Sequence, residues 1–248
     1  MSVDEFRLVV HEIRHYTDYI YLHVLGEPLL HPHFAEIMQI SKDIGLYVNI
    51  STNGSLLQKR REILLKNPVR QINISLHDAE ENIQKEDWAG FIKNTLEIAS
   101  ELSVTTYVNF RLWNQTNPTS SDFNALCISL IKEKFQLAEN TDLFVQNGRN
   151  ITLGPNLYLQ LAPRFEWVKN ELNPVKNCYG LRDQIAVLSD GSVVPCCIDA
   201  DANLLLGNIF REKLSVILST KKAQNIKHGF EQHKAVESYC QSCGFRAD

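Results

Sequence analysis

Five of the six cysteines fall between positions 178 and 243: Cys178, Cys196, Cys197, Cys240 and Cys243. Cys240-Gln241-Ser242-Cys243 has the spacing at which two thiolates chelate one metal centre. Cys178 and Cys196 can supply the other pair, Cys196 following a hairpin, QIAVLSDGSVVP, whose tight turn is Asp190-Gly191. Four thiolates suit an iron–sulfur cluster or a tetrahedral zinc equally well. Cys197 neighbours Cys196, and adjacent side chains of an extended segment point opposite ways, so one of the two is expected to be a ligand. Cys196 is favoured, with Cys197 left to the core or to the surroundings of the metal. Cys127 stands alone on the apolar side of a helix and is read as packing.

A second stretch with chemical content is LHVLGEPLLHP, Leu22 to Pro32, where a β-like run ends in Gly26-Glu27-Pro28 and turns at once towards a helix. Glycine allows backbone conformations closed to other residues and leaves the main chain open to a ligand. Pro28 stiffens the exit, and Pro32 is expected in the first turn of the helix that Gly45 closes. His31 and His33 flank Pro32 and read as capping or surface residues.

These residues need elements to hold them. Residues 4–15 place Phe6, Val9, Val10 and Ile13 on one helical face. Strands are expected at 19–25, 46–51, 71–76, 104–112 and 156–162, and helices at 32–44, 58–66, 88–102 and 121–135. Strand and helix alternate, which predicts a parallel α/β sheet or barrel. Ligands bind such sheets at the C-terminal strand ends, and those ends carry Gly26-Glu27-Pro28, Ser51 to Gly54, Ser75 and Arg111. After Asn177 the texture changes to the short hairpin, a strand at 204–210 and helices over 212–234. Residues 1–170 are therefore read as the β/α body, and 171–248 as a small cysteine-rich α+β extension stapled by metal.

With 248 residues and 44% hydrophobic content, the chain can bury a good core. A net charge of -4 and the lack of a basic stripe argue against nucleic acid as a partner. Apolar runs are too short to cross a bilayer, and MSVDEFRLVV lacks the features of a signal peptide. A cytoplasmic protein without a membrane partner is the expectation, and there clustered thiols hold metal or do chemistry.

In this order, Leu25-Gly26-Glu27-Pro28, Ser51-Thr52-Asn53-Gly54, Ile74-Ser75-Leu76 and the Arg111 strand end resemble a radical SAM (S-adenosylmethionine) partial barrel. Cys178, Gly191 with Cys196 five positions on, and Cys240-x-x-Cys243 resemble a SPASM or twitch extension carrying one auxiliary [4Fe-4S] cluster. The likeness covers almost the whole chain. It implies that Gly26, Glu27 and Pro28 present backbone acceptors to the methionyl ammonium. Ser51, Asn53 and Ser75 would then serve ribose and carboxylate, and Arg111 would hold the carboxylate by a bidentate contact. It implies Cys178, Cys196, Cys240 and Cys243 as ligands of the auxiliary cluster. By the same resemblance the substrate is a peptide or protein side chain, attacked by a 5′-deoxyadenosyl radical, and the reductant is a flavodoxin or ferredoxin.

One defining feature of that family, Cys-x-x-x-Cys-x-x-Cys after the first strand, has no counterpart in the sequence. The catalytic cluster and the first barrel strand are thus expected to be missing, and S-adenosylmethionine to bind only where the full protein restores them. A fragment of a radical SAM enzyme is favoured over a degenerate homologue. The edge left at Tyr19–Leu25 is apolar and uncharged, and is expected to promote association. The alternative function is a non-catalytic binding module stapled by zinc or iron–sulfur. An aldolase-like barrel has no support, because no lysine or paired carboxylates mark the strand ends.

Overall fold

The computed structural model describes residues 1–114, 121–138, 150–163 and 177–245. The expected boundary at 170/171 lies outside the described residues. The chain forms two compact units. One comprises Asp18–His23 and Glu27–Arg164, and the other Met1–Thr17, Val24–Gly26 and Phe165–Asp248.

Helix α1 (Val3–Ile13) opens the chain. Ser2 caps it, its Oγ accepting from the Glu5 N–H at 3.2 Å while the Glu5 carboxylate accepts from the Ser2 N–H at 2.6 Å. This reciprocal pair satisfies two donors that a helix start leaves free.

The sheet unit runs β1 (Tyr19–Leu22), α2 (Phe34–Ile44), β2 (Tyr47–Thr52), α3 (Leu57–Lys66) and β3 (Gln71–Ser75). It continues with α4 (Ala79–Asn82), α5 (Trp88–Leu102), β4 (Tyr107–Leu112), α6 (Asp122–Lys134), β5 (Ile151–Gly154) and β6 (Leu157–Leu161). The strands lie in the order β1-β2-β3-β4-β6-β5, parallel except for β5, so β1 is an edge strand. The antiparallel β5, which pairs with β6, is absent from the sequence expectation. A four-residue run with a buried face at one residue carries too little period-2 signal to be seen.

Alternation explains the two faces of this sheet. Val48 and Ile50, Ile72 and Ile74, and Val108 and Phe110 point one way and are buried. That is the face the amphipathic helices cover, supplying Phe34, Leu64, Leu96 and Phe123. The other face carries Asn49, Ser51, Asn73, Ser75, Asn109 and Arg111. A buried polar face is unusual for a sheet core, and it marks where a ligand can be met.

Two local expectations are corrected. The first strand ends at Leu22, and Pro28 rather than Pro32 takes the first position of a helical turn, the short 3-10 segment Pro28–Leu30. Pro32 lies outside α2, whose cap is His33, whereas Gly45 closes that helix at φ 78°. A proline fixes φ at helical values, but either of two nearby prolines can use that property.

The second unit holds α1 together with β7 (Ala186–Val187), β8 (Ser192–Val194) and β9 (Gly207–Asn208), a small antiparallel sheet. It also contains α7 (Leu214–Ser219), α8 (Lys221–Glu231) and α9 (Ser238–Ser242). Val9 of α1 joins Val193, Leu214, Ile217, Ile226 and Phe230 in one core. The Glu12 carboxylate accepts from the Leu214 N–H at 3.2 Å, capping α7. Helix α1 thus packs in the unit that carries the cysteines, although its apolar stripe alone suited a barrel helix equally. The strand expected at 204–210 shrinks to Gly207–Asn208, because Leu204 and Leu206 are buried as irregular backbone.

Candidate functional site

At the strand ends of the sheet unit, register decides which side chains meet. Ser75 pairs across the ladder with Arg111, and Arg111 with Gln160. The Arg111 Nη1 donates towards Ser51 Oγ at 3.4 Å, and its guanidinium stacks over the Trp113 ring at 4.3 Å. Burial pushes the Arg111 pKa down to about 10, and among the described residues no carboxylate pairs with it. Its Nε is buried without a hydrogen-bond partner among the described residues, as is the Trp113 Nε1. A desolvated, unpaired cation at a strand end is poised for an anion. His23, just beyond β1, has its imidazole held below the usual range by burial and by the Arg111 charge.

The turn residues are placed differently from one another. Gly26 takes φ 77°, and Val24 takes φ 109°, a value that β-branched side chains resist. By its contacts Gly26 groups with the cysteine unit, so the strand-end site begins at Glu27. The Glu27 carboxylate accepts from Asn53 N–H at 2.8 Å and from Leu29 N–H at 3.0 Å. It is a brace between two strand-end turns, and its side chain is committed to backbone. Pro28 begins the 3-10 turn, which Arg60 holds by donating to the Leu29 and His31 carbonyls at 2.9 and 3.0 Å. Asn53 spends its Oδ1 on Ser55 N–H and Oγ–H, at 3.0 and 2.7 Å, as a local turn former, leaving Nδ2. Ser75 precedes a short helical turn without capping it through its side chain.

His77 and Trp113 escaped the sequence reading. The His77 Nδ1 lies 3.0 Å from the Arg111 carbonyl oxygen and 3.3 Å from the Trp113 N–H donor, fixing the backbone where β4 leaves the sheet. Trp113 follows Arg111 at the two-residue strand period, and that period was the available signal.

In the other unit, Cys178, Cys196, Cys197, Cys240 and Cys243 all line one cavity of about 180 Å³. Each is half-buried and unbridged, whereas Cys127 is fully buried in the sheet unit. Backbone amides serve the sulfurs: Gly180 N–H donates to Cys178 Sγ and Phe245 N–H to Cys243 Sγ, each at 3.4 Å. Burial pushes the Cys196 thiol up to about 11 and the Cys240 thiol to about 12. The expectation that Cys197 points away is corrected. Residues 196–198 form a turn rather than an extended segment, so alternation does not apply and both neighbours face the cavity. Asp199, fully buried and unforeseen, closes the following loop by accepting from Asn203 N–H and Leu204 N–H, both at 2.8 Å.

No group of three His, Cys, Asp or Glu side chains among the described residues surrounds a single ion. The five thiols instead rim a volume, with amides donating to the Cys178 and Cys243 sulfurs, and four such thiols fit a cluster in which each ligating cysteine holds its own iron.

Residues 1–111 match the family model of the radical SAM superfamily, and residues 178–244 that of SPASM, an iron–sulfur cluster-binding domain. No curated protein sequence matches the chain. Several solved structures share the fold, among them the following three. BtrN in complex with AdoMet and 2-DOIA gives a TM-score of 0.54 at 15% identity, over 99% of this chain and 80% of that one. SuiB of Streptococcus suis bound to precursor peptide SuiA gives 0.55 at 15%, over 98% and 63%. The anSMEcpe enzyme with bound AdoMet gives 0.51 at 15%, over 98% and 85%. No described helix is long and apolar enough to cross a membrane. The chain thus carries a match to the radical SAM superfamily over residues 1–111, followed by a match to the SPASM iron–sulfur cluster-binding domain over 178–244.

Proposed function

We propose that this chain is the cofactor- and substrate-holding part of a radical SAM/SPASM enzyme that modifies a peptide or protein side chain. In this reading Arg111 takes the carboxylate of S-adenosylmethionine, with Ser51 and Ser75 beside it. The Glu27-Pro28 turn offers backbone carbonyls to the ammonium. The Glu27 side chain does not touch the cofactor; it keeps that turn and the Asn53 turn in register. Cys178, Cys196, Cys240 and Cys243 hold one auxiliary [4Fe-4S] cluster, and Cys197 stands beside it as a fifth thiol.

The observation that carries the reading is the convergence of cysteines from three separate segments on one cavity with amide-donor support. Burial keeps the free Cys196 and Cys240 thiols protonated, so loading the site releases protons that only metal binding can displace at neutral pH. S-adenosylmethionine and its reducing cluster would supply one-electron chemistry at the sulfonium, which no residue of this chain replaces. The peptide assignment rests on the fold shared with SuiB, seen with its precursor peptide. An electron donor of the flavodoxin or ferredoxin type would serve such a site.

Anaerobic reconstitution tests the cluster. The full chain should take up about four iron with matching sulfide and turn brown. A colourless protein holding one zinc would establish the metal-stapled module instead.

A further inference from the structure

Buried polar groups in folded proteins are nearly always partnered, so exceptions ask for a cause. Three of the four buried side-chain atoms without a partner, among the described residues, lie on one stripe: Asn109 Oδ1, Arg111 Nε and Trp113 Nε1. These residues follow each other at the two-residue period of β4 and its exit, so they share the polar face of the sheet. Two of the atoms are N–H donors within a single stacked pair, guanidinium over indole at 4.3 Å. Indole has no acceptor, so its N–H can be satisfied only by an incoming lone pair. The His77 Nδ1 lies against the backbone under the pair, 3.0 Å from the Arg111 carbonyl oxygen and 3.3 Å from the Trp113 backbone nitrogen, and bonds to one or the other according to its tautomer.

We infer that Trp113 is a further binding residue of the strand-end site: its Nε1–H and the Arg111 Nε–H form a paired-donor receptor for one carboxylate. The inference rests on the proposed role of Arg111 and extends it. The Arg111 Nη1 remains on the Ser51 side, so one guanidinium serves two neighbours. The indole has two parts in this arrangement. Its ring fixes the plane of a long, flexible cation, and its N–H adds a neutral donor that discriminates a carboxylate from bulk chloride by direction.

Calorimetric titration of the full chain with S-adenosylhomocysteine, using adenosine as the probe without a carboxylate, tests this. Trp113→Phe keeps the stack and removes the donor. It should weaken S-adenosylhomocysteine binding roughly 10- to 100-fold, the range for a hydrogen bond to a charged group, and leave adenosine binding unchanged. Its melting temperature should hold or rise, because an unpaired buried donor is lost. Arg111→Met should weaken the same probe at least as much. Wild-type affinity in Trp113→Phe together with loss in Arg111→Met would show that the indole only packs, overturning the inference alone. Equal losses for both probes in Trp113→Phe would also overturn it, as a defect of the fold. No effect of either variant would overturn the carboxylate role of Arg111 and this inference with it.

Discussion

Ser51, Ser75 and Arg111 stand where the two-residue period of parallel strands puts them, on a sheet whose other face is a continuous apolar core. Cys178, Cys196, Cys240 and Cys243 are instead gathered by turns, a three-residue strand and a five-residue helix. The first site is held by a hydrogen-bonded parallel ladder whose opposite face is packed by helices. The second has a smaller core and loops whose sulfurs want a common partner, so a cluster there is both cofactor and staple. Geometry imposed by a sheet tolerates the loss of one ligand contact. Geometry imposed by a metal does not.

The largest expected effect breaks that staple. Cys243→Ala should drop iron from about four per chain to near zero and soften the cysteine unit, seen as a lower and broader melt. Cys127→Ala, in the sheet core, should keep its iron and cost about 1 kcal/mol for the small cavity left. Retained iron in Cys243→Ala, with iron lost from Cys127→Ala, would reverse the ligand assignment. The cluster-free chain should also lose stability in alkali. The folded Cys196 and Cys240 pKa values, about 11 and about 12, lie above those of unfolded thiols. The stabilising contribution is therefore complete below about pH 8.5 and fades as the pH climbs through the folded values. A pH-independent melt of the cluster-free chain up to pH 11 would contradict the burial of these thiols.

One substitution made at two glycines of the cysteine unit separates a packed turn from an open one. Gly191 turns the hairpin before Cys196 at φ 84°, and an added Cβ would collide with the Phe210 ring and lie 2.8 Å from Asn208 Oδ1. Gly191→Ala should cost about 2–4 kcal/mol, combining overpacking with backbone strain. Gly26 has a similar φ, 77°, but nothing within 4 Å of such a Cβ, so Gly26→Ala should cost only about 1 kcal/mol. Equal costs in denaturant unfolding would show that the hairpin is loosely packed after all.

A middle-sized effect belongs to Glu27. Glu27→Gln replaces a two-oxygen acceptor of backbone N–H groups with one acceptor and one donor, so one of the Leu29 and Asn53 amides loses its partner. A loss of about 1–2 kcal/mol follows, together with faster hydrogen exchange at Asn53 N–H. Unchanged exchange there would remove the brace from the account.

The smallest effect has the opposite sign. Arg111 carries a desolvated charge without a carboxylate partner among the described residues, and burial depresses its folded pKa to about 10. The sign follows: neutralisation favours the folded state, so at neutral pH the charge costs stability that returns only as the pH rises past 10. Arg111→Met should accordingly leave the melting temperature unchanged or raise it by a few degrees while weakening ligand binding. A marked fall would mean that Arg111 is a structural residue.

Much of the molecule was legible in one dimension. The helix expected at 88–102 is observed as Trp88–Leu102, and 121–135 as Asp122–Lys134, because long apolar periods and capping residues act locally. The order of strand-end motifs and the cysteine spacings likewise pointed to the two family regions that the comparisons confirm. Position along a strand is a property of sequence, so Arg111 and Ser75 could be placed at strand ends without coordinates. What depended on through-space packing could not. The opposite faces assumed for Cys196 and Cys197 failed because a turn, in which the Asp199 N–H donates to the Cys196 carbonyl at 3.3 Å, replaced the extended backbone. Helix α1 carries an apolar stripe that would suit either unit. Its partner was decided by Val9 meeting a core whose other members lie nearly two hundred residues away. Glu27 became a brace, and Arg111 a bare cation, only once register set which amides and carboxylates lay within reach. Local propensity specifies elements, but contacts between distant residues depend on how those elements pack, and that is fixed by the tertiary fold alone.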